Sequence, residues 1–320
     1  MPAVTVDNPL VLPRIEVAAD TQPRPVSGVY ASHHAIEGAG FEVWRPFPGA
    51  VDATVSDPFF LLDQLGPVEY APHEAVGAPW HPHRGFETVT YVLDGEIAHH
   101  DSNGGGGVIG EGDTQWMTAG SGILHDEVPT ERVLASGGRS HGVQLWVNLP
   151  SHLKFTPPRY QPLTADHLTL LTSPDGGALV RLIAGELGGH RGPGDTHTPI
   201  TYAHVTLSPG AQLTVPWNPA FNAMAYVLGG RGHAGAEARP ITAHELAVFG
   251  PGDTVTVRAA AMSGSADAAG NADELDVLLL GGLPIREPIA HYGPFLMNTK
   301  AEILQAIDDF NAGKMGTVPS

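Results

Sequence analysis

The chain is predicted to be all-β, built as two copies of one barrel and closed by a single helix. Three observations predict this. Short runs of alternating apolar and polar residues recur with turn signals between them, as in FETVTYVLDGEIAHH, HGVQLWVNL and HELAVFGPGDTVTVRA. Period-two runs place every second side chain on one face of a strand. Gly (40) and Pro (29) are spread along the 320 residues, as many turns between short strands require. Finally, PWHPHRGFETVTYVLDGE (79–96) and PWNPAFNAMAYVLGGR (216–231) share the opening PW-x-P and the ending YVL-x-G. Glu111-Gly112-Asp113 is answered in the same way by Pro251-Gly252-Asp253, which makes the pattern an internal repeat.

Composition narrows the function. The chain has no Cys, which excludes disulfides, thiolate metal sites and cysteine nucleophiles. Its formal charge of −18, with 16 basic residues scattered singly, argues against direct binding to nucleic acid or to an anionic membrane surface. No basic start with an apolar core of signal-peptide length opens the sequence, and no run approaches a membrane span of roughly 18 apolar residues. A cytoplasmic, soluble protein is the simplest expectation.

Along the chain, the expected division is 1–153 for a first, metal-binding barrel, 154–298 for a second, and 299–320 for the helix and tail. Within the first, SNGGGG (102–107) reads as a hairpin loop, since no Gly-Lys-Ser/Thr follows it to make a phosphate cradle. Proline-rich KFTPPRYQPL (154–163) has no clean period and reads as the linker. RGPGDTHTP (191–199) and AAAMSGSADAAGNADE (259–274) read as loops in the second barrel. At the end, Thr299-Lys300-Ala301-Glu302 fits a capping box, and Ile303, Leu304, Ile307 and Phe310 give one stripe to pack on the body.

The chemistry gathers at two places. His81 and His83 open a strand two residues apart, so both imidazoles share one face. His125 and Glu127 end a second strand with the same spacing. Three nitrogens and one oxygen suit a divalent transition metal, Fe(II), Mn(II), Ni(II), Cu(II) or Zn(II), and not Ca²⁺ or Mg²⁺. Four such ligands on an octahedral ion leave two adjacent positions for a substrate oxygen and O₂. The bland alternative is accident, in a chain with 17 His. In the second repeat Asn218 and Ala220 replace the two histidines, so that copy is expected to hold no metal. His33-His34 and His99-His100 are adjacent pairs expected mainly in solvent, with one member of either able to line a cavity. Gln115, Trp116 and Met117 are expected to pack the barrel, and Arg84 and Glu87 to pair structurally or meet substrate.

HPHRGFETVTY, GDTQWMTAGSGILHDE, QLWVNLP and GPFLMNT, with SDPFFLLDQLGP before them, resemble the signature blocks of the pirin family. The likeness is close from about residue 40 to 155, looser beyond, and returns at the tail. It implies a bicupin of two jelly-roll barrels with one metal, usually iron, in the N-terminal one. Carried over, the ligands fall on His81, His83, His125 and Glu127. Asp126 departs from the family, which commonly has a small residue there. A general cupin pattern would instead offer Glu87 as the carboxylate, so the resemblance leaves Glu87 as a pocket group. It further implies either a flavonol dioxygenase of the quercetin 2,3-dioxygenase type, using O₂ with Glu127 or Glu87 accepting the substrate proton, or an iron-dependent sensor that regulates a partner enzyme or transcription complex. Fe(II) is the expected metal, with Mn, Ni, Cu, Co or Zn as substitutes.

Overall fold

A computed structural model describes residues 4–318 apart from residue 39 and residues 263–273. Most of the loop expected at 259–274 therefore lies outside the described residues. Two seven-stranded and two four-stranded antiparallel sheets make two barrels. In the first, the large sheet runs in space through Arg159–Leu163, Thr114–Thr118, Phe86–Asp94, Gly138–Asn148, Phe59–Tyr70, Phe41–Phe47 and His33–Glu37. Its small sheet runs through Ala78–His83, Ile123–Pro129, Ile97–Asp101 and Gly106–Ile109. The second barrel repeats the plan, with Ala223–Gly229 standing where Phe86–Asp94 stands in the first.

Alternation along the large sheets builds two different interiors. Val89, Tyr91, Val143, Leu145 and Val147 of the first large sheet meet Tyr202, Met224, Tyr226, Leu278 and Leu280 of the second in one buried layer between the barrels. The opposite faces point into the barrels. In the second barrel that face is apolar (Val180, Leu182, Val205, Val227, Val277) and packs with Leu213, Val215 and Val257 of its small sheet into a filled core. In the first barrel it carries Asp63, Thr90, Gln144 and Trp146, which line a cavity.

The sheets do not divide where the linker was expected. Val26–Ala31, near the N-terminus, pairs with Glu245–Phe249 and completes the second large sheet. Conversely, the proline-rich stretch contains the strand Arg159–Leu163, which pairs with Thr114–Thr118 at the edge of the first. Proline is tolerated on an edge because the missing N–H would have had no ladder partner on the outer side. Each barrel is thus finished by chain lying beyond the expected boundary. Ile15 and Val26, buried in the second core, tie the N-terminal segment there.

The closing helix, Lys300–Asn311, is capped as expected: Thr299 accepts from Glu302 N while the Glu302 carboxylate accepts from Thr299 N. Its packing stripe differs. Ile303 and Ala306 are buried with Ile307 beside them, whereas Leu304 is 63% exposed and Phe310 39%. The helix sits against the hairpin Ala290–Met297 and against Leu124 and Met315, on the first barrel. No helix among the described residues is long and apolar enough to cross a membrane.

Removing residues 1–31 should leave the Glu245–Phe249 edge bare and take Ile15 and Val26 from the second core, each contributing about 1.5–3 kcal/mol by burial. A lowered Tm in calorimetry and new self-association in light scattering are expected. An unchanged Tm with no added association would show that the exchanged strand contributes little.

Candidate metal centre

The strand Ala78–His83 ends on the two histidines, and its partner Ile123–Pro129 sets His125 directly opposite His81. The three rings meet, with centroids 4.3 Å apart for His81 and His125, 4.7 Å for His81 and His83, and 4.8 Å for His83 and His125. His81 Nδ1 lies 2.8 Å from the Pro79 carbonyl oxygen and His83 Nδ1 lies 3.3 Å from that of Pro294. A carbonyl only accepts, so each Nδ1 carries a proton and each Nε2 is turned away from the backbone toward the other rings. Those two Nε2 atoms are 3.0 Å apart. His125 Nε2 is buried without a hydrogen-bond partner among the described residues.

Burial, reinforced by the neighbouring imidazoles, holds His83 and His125 well below the usual histidine range, so both are neutral at neutral pH. Three imidazoles with nitrogens inside 4.8 Å of one another fit a cation. Nitrogens at right angles and about 2.0–2.1 Å from one metal would themselves be about 3 Å apart.

The aim of His83 is set by the residues directly after it. Gly85 adopts φ +91°, and a Cβ there would lie 2.1 Å from the Leu296 carbonyl oxygen. The chain kinks at this glycine, and strand alternation restarts at Phe86. Arg84 is buried, donating to Ser121 O at 2.7 Å and to Asp309 Oδ2 of the closing helix at 2.9 Å. Lys154, also buried, donates to the oxygens of Gly85, Asn148 and Leu296, each at 2.8 Å. The C-terminal hairpin and helix therefore hold the segment that presents His83, and Pro294 fixes that ring directly.

Glu127 and Glu87 part company. Glu127 Oε1 accepts from Thr90 Oγ1 at 2.8 Å and Gln115 Nε2 at 3.2 Å. Its carboxylate lies within 4.8 Å of a His125 ring nitrogen but does not join the three-histidine group. Glu87, expected as a pocket group by strand parity with His83, lies on the opposite face. The kink at Gly85 flips the alternation, so Glu87 shares its face with Val89 and Tyr91. There it is fully buried and accepts from Thr118 Oγ1 and Thr196 Oγ1, each at 2.7 Å. Arg84 pairs with Asp309 rather than with Glu87.

Two further residues belong to the site. Gln115 orients Glu127, while Trp116 lies in the layer between the barrels and Met117 packs with Ala119 and Ile123. His99, expected in solvent, is wholly buried with Nδ1 3.3 Å from His125 Nδ1. Its strand pairs with the strand of His125, a cross-strand neighbour that no local spacing reveals.

A cavity of about 440 Å³ opens on His81, His83 and Glu127. Leu61, Val92 and Trp146 give it apolar wall, and Arg45 stands in it paired with Asp63 and Glu37. Small-molecule sites span about 300–1,000 Å³ with a few polar groups on an apolar lining.

Two barrels packed on their large sheets, one filled and the other hollow with histidines at its floor, make this a two-domain cupin protein. The chain belongs to the pirin family: residues 40–147 match Pirin, and residues 202–316 match the Pirin C-terminal cupin domain. Human pirin is 39% identical over 290 residues, spanning 89% of this chain and 91% of that protein. A Pseudomonas aeruginosa protein named provisionally as a quercetin 2,3-dioxygenase is 41% identical over 294 residues, spanning 91% of this chain and 98% of that one. The crystal structure of quercetin 2,3-dioxygenase from Acinetobacter baumannii superimposes with a TM-score of 0.84 at 37% identity, covering 92% of this chain and 99% of that one.

Gly85→Ala should disturb the kink and with it His83: bound metal measured after gel filtration is expected to fall well below that of the unaltered protein. Full retention would show that the kink is dispensable. Glu127→Gln should weaken metal by more than the about 10–100-fold typical of outer partners. Glu87→Gln should leave metal in place and lower unfolding free energy by about 1–3 kcal/mol, because its hydrogen bonds are buried. Metal titration and urea unfolding of both variants check this, and the reverse pattern would make Glu87 the carboxylate that matters.

Proposed function

We propose that the protein is a metal-dependent flavonol dioxygenase of the quercetin 2,3-dioxygenase type, with His81, His83, His125 and Glu127 as its metal ligands. The observation that carries this reading is the convergence of three imidazoles beside a largely apolar cavity large enough for a planar aromatic molecule. The names of the Pseudomonas and Acinetobacter relatives support the substrate class. A divalent metal held there, iron first among those that accept three nitrogens and one oxygen, supplies Lewis acidity and redox chemistry toward O₂.

The chain's own part is positioning and proton handling. Leu61, Val92 and Trp146 take the aromatic rings out of water and turn the flavonol 3-hydroxyl toward the histidines. Glu127 brings the one negative charge of the ligand set and takes the 3-hydroxyl proton, its carboxylate oriented by Thr90 and Gln115.

A sensor reading draws on the ion pair between Arg84, next to His83, and Asp309 of the closing helix, which links the site to an outer element. Aerobic assays on metal-quantified protein separate the two. Quercetin consumption matched by O₂ uptake, and abolished together with bound metal by His83→Ala, is expected. Iron-loaded protein that binds quercetin without consuming it would replace the enzyme reading with the sensor.

A further inference from the structure

Two of the three clustered histidines have their proton placed by a backbone carbonyl, through Pro79 and Pro294. His125 has none. Its Nδ1 faces another ring nitrogen, His99 Nδ1, at 3.3 Å, so one of the two must donate and the other accept. Geometry at the far side of His99 decides which. His99 Nε2 faces Asp101 Oδ2 at 3.7 Å, and neither of these buried atoms has a hydrogen-bond partner among the described residues. The other oxygen, Asp101 Oδ1, accepts from Asn103 N at 2.7 Å and Gly105 N at 3.0 Å, which fixes the carboxylate in the hairpin loop. Only glycine fits at 105, since a Cβ there would lie 2.2 Å from Asp101 Oδ2. Tyr160, from the edge strand Arg159–Leu163, stacks on the His99 ring with centroids 5.1 Å apart and 14° between planes.

A carboxylate oxygen only accepts, so His99 carries its proton on Nε2 and presents the lone pair of Nδ1. His125 must then donate from Nδ1, which leaves its Nε2 lone pair free for a metal. We propose that Asp101 and His99 are positioning residues that hold His125 in its ligating tautomer. This rests on the ligand set proposed above. Among the described residues, His99, His125 and Glu127 also form a group that meets the spacing for a metal. His99 nevertheless turns its Nδ1 to His125, and its ring is held between Tyr160 and Asp101. It therefore acts through His125, as an outer partner that sets orientation and basicity.

Asp101→Asn is a sharp test because it keeps the shape. The two backbone donors hold the amide oxygen at the Oδ1 position, which places the NH₂ group opposite His99 Nε2. His99 must then accept there and carry its proton on Nδ1, and His125 is driven to the Nε2-protonated form, which cannot ligate. The metal-free protein is measured first, by ¹⁵N NMR of the histidine rings, with His125 assigned through its own substitution. The unaltered protein should show His125 protonated on Nδ1, and Asp101→Asn should move that proton to Nε2. Co(II) affinity, from competition with a chelator, should fall about 10–100-fold in the variant, the range usual for such partners. His83→Ala run alongside tests the ligand set itself: if it keeps its Co(II), that set is wrong. If His83→Ala loses Co(II) while Asp101→Asn binds like the unaltered protein, or if the unaltered protein carries the His125 proton on Nε2, the positioning role is overturned.

Discussion

The structure depends on one packing constraint: two seven-stranded sheets lie face to face and share a single apolar layer. Their central strands spend alternate residues on that layer. Whatever remains faces a barrel interior, and there the two copies are free to differ. The second uses the freedom to fill itself with Val, Leu and Ala. The first puts Thr, Gln and Asp on the same face and stays hollow. One copy is a support for the other.

Inside the hollow barrel the energetics are those of buried acceptors. Histidine nitrogens facing one another at 3.0 Å are favourable only when something positive, a proton or a metal, stands between them. The fold sustains them because each ring is anchored from behind, by Pro79, by Pro294 and by His99. One of these anchors comes from far beyond the motif. Pro294 lies in the C-terminal hairpin, which Lys154 and the Arg84–Asp309 pair bind to the chain around Gly85. A site confined to residues 81–127 in sequence is therefore assembled from three regions of the chain.

Much of this was legible in the residues themselves. Period-two runs, turn glycines and the repeated PW-x-P…YVL-x-G frame are local signals, and they mark an all-β chain of two like halves without any knowledge of contacts. The Thr299–Glu302 cap is equally local and appears as expected. His81 and His83 share a face because they lie two positions apart on a regular strand, and His125 joins them across the paired strand. Membership of the pirin family rests on long motifs of the same local kind.

Tertiary structure alone decided the rest, wherever a residue's neighbour is remote in sequence. Parity placed Glu87 with His83, but Gly85 is pressed against Leu296, more than two hundred positions on, and the resulting kink turns Glu87 to the other face. The stretch 154–163 has no alternation to show, yet it gains a strand because Thr114–Thr118 leaves an edge to be paired. Val26–Ala31 crosses to the far barrel for the same reason. His99 carries no spacing signal, and it becomes part of the site only because its strand lies beside that of His125. Periodicity reports the two faces of a strand. Which neighbour each face meets, and where the alternation breaks, is settled only when distant segments pack.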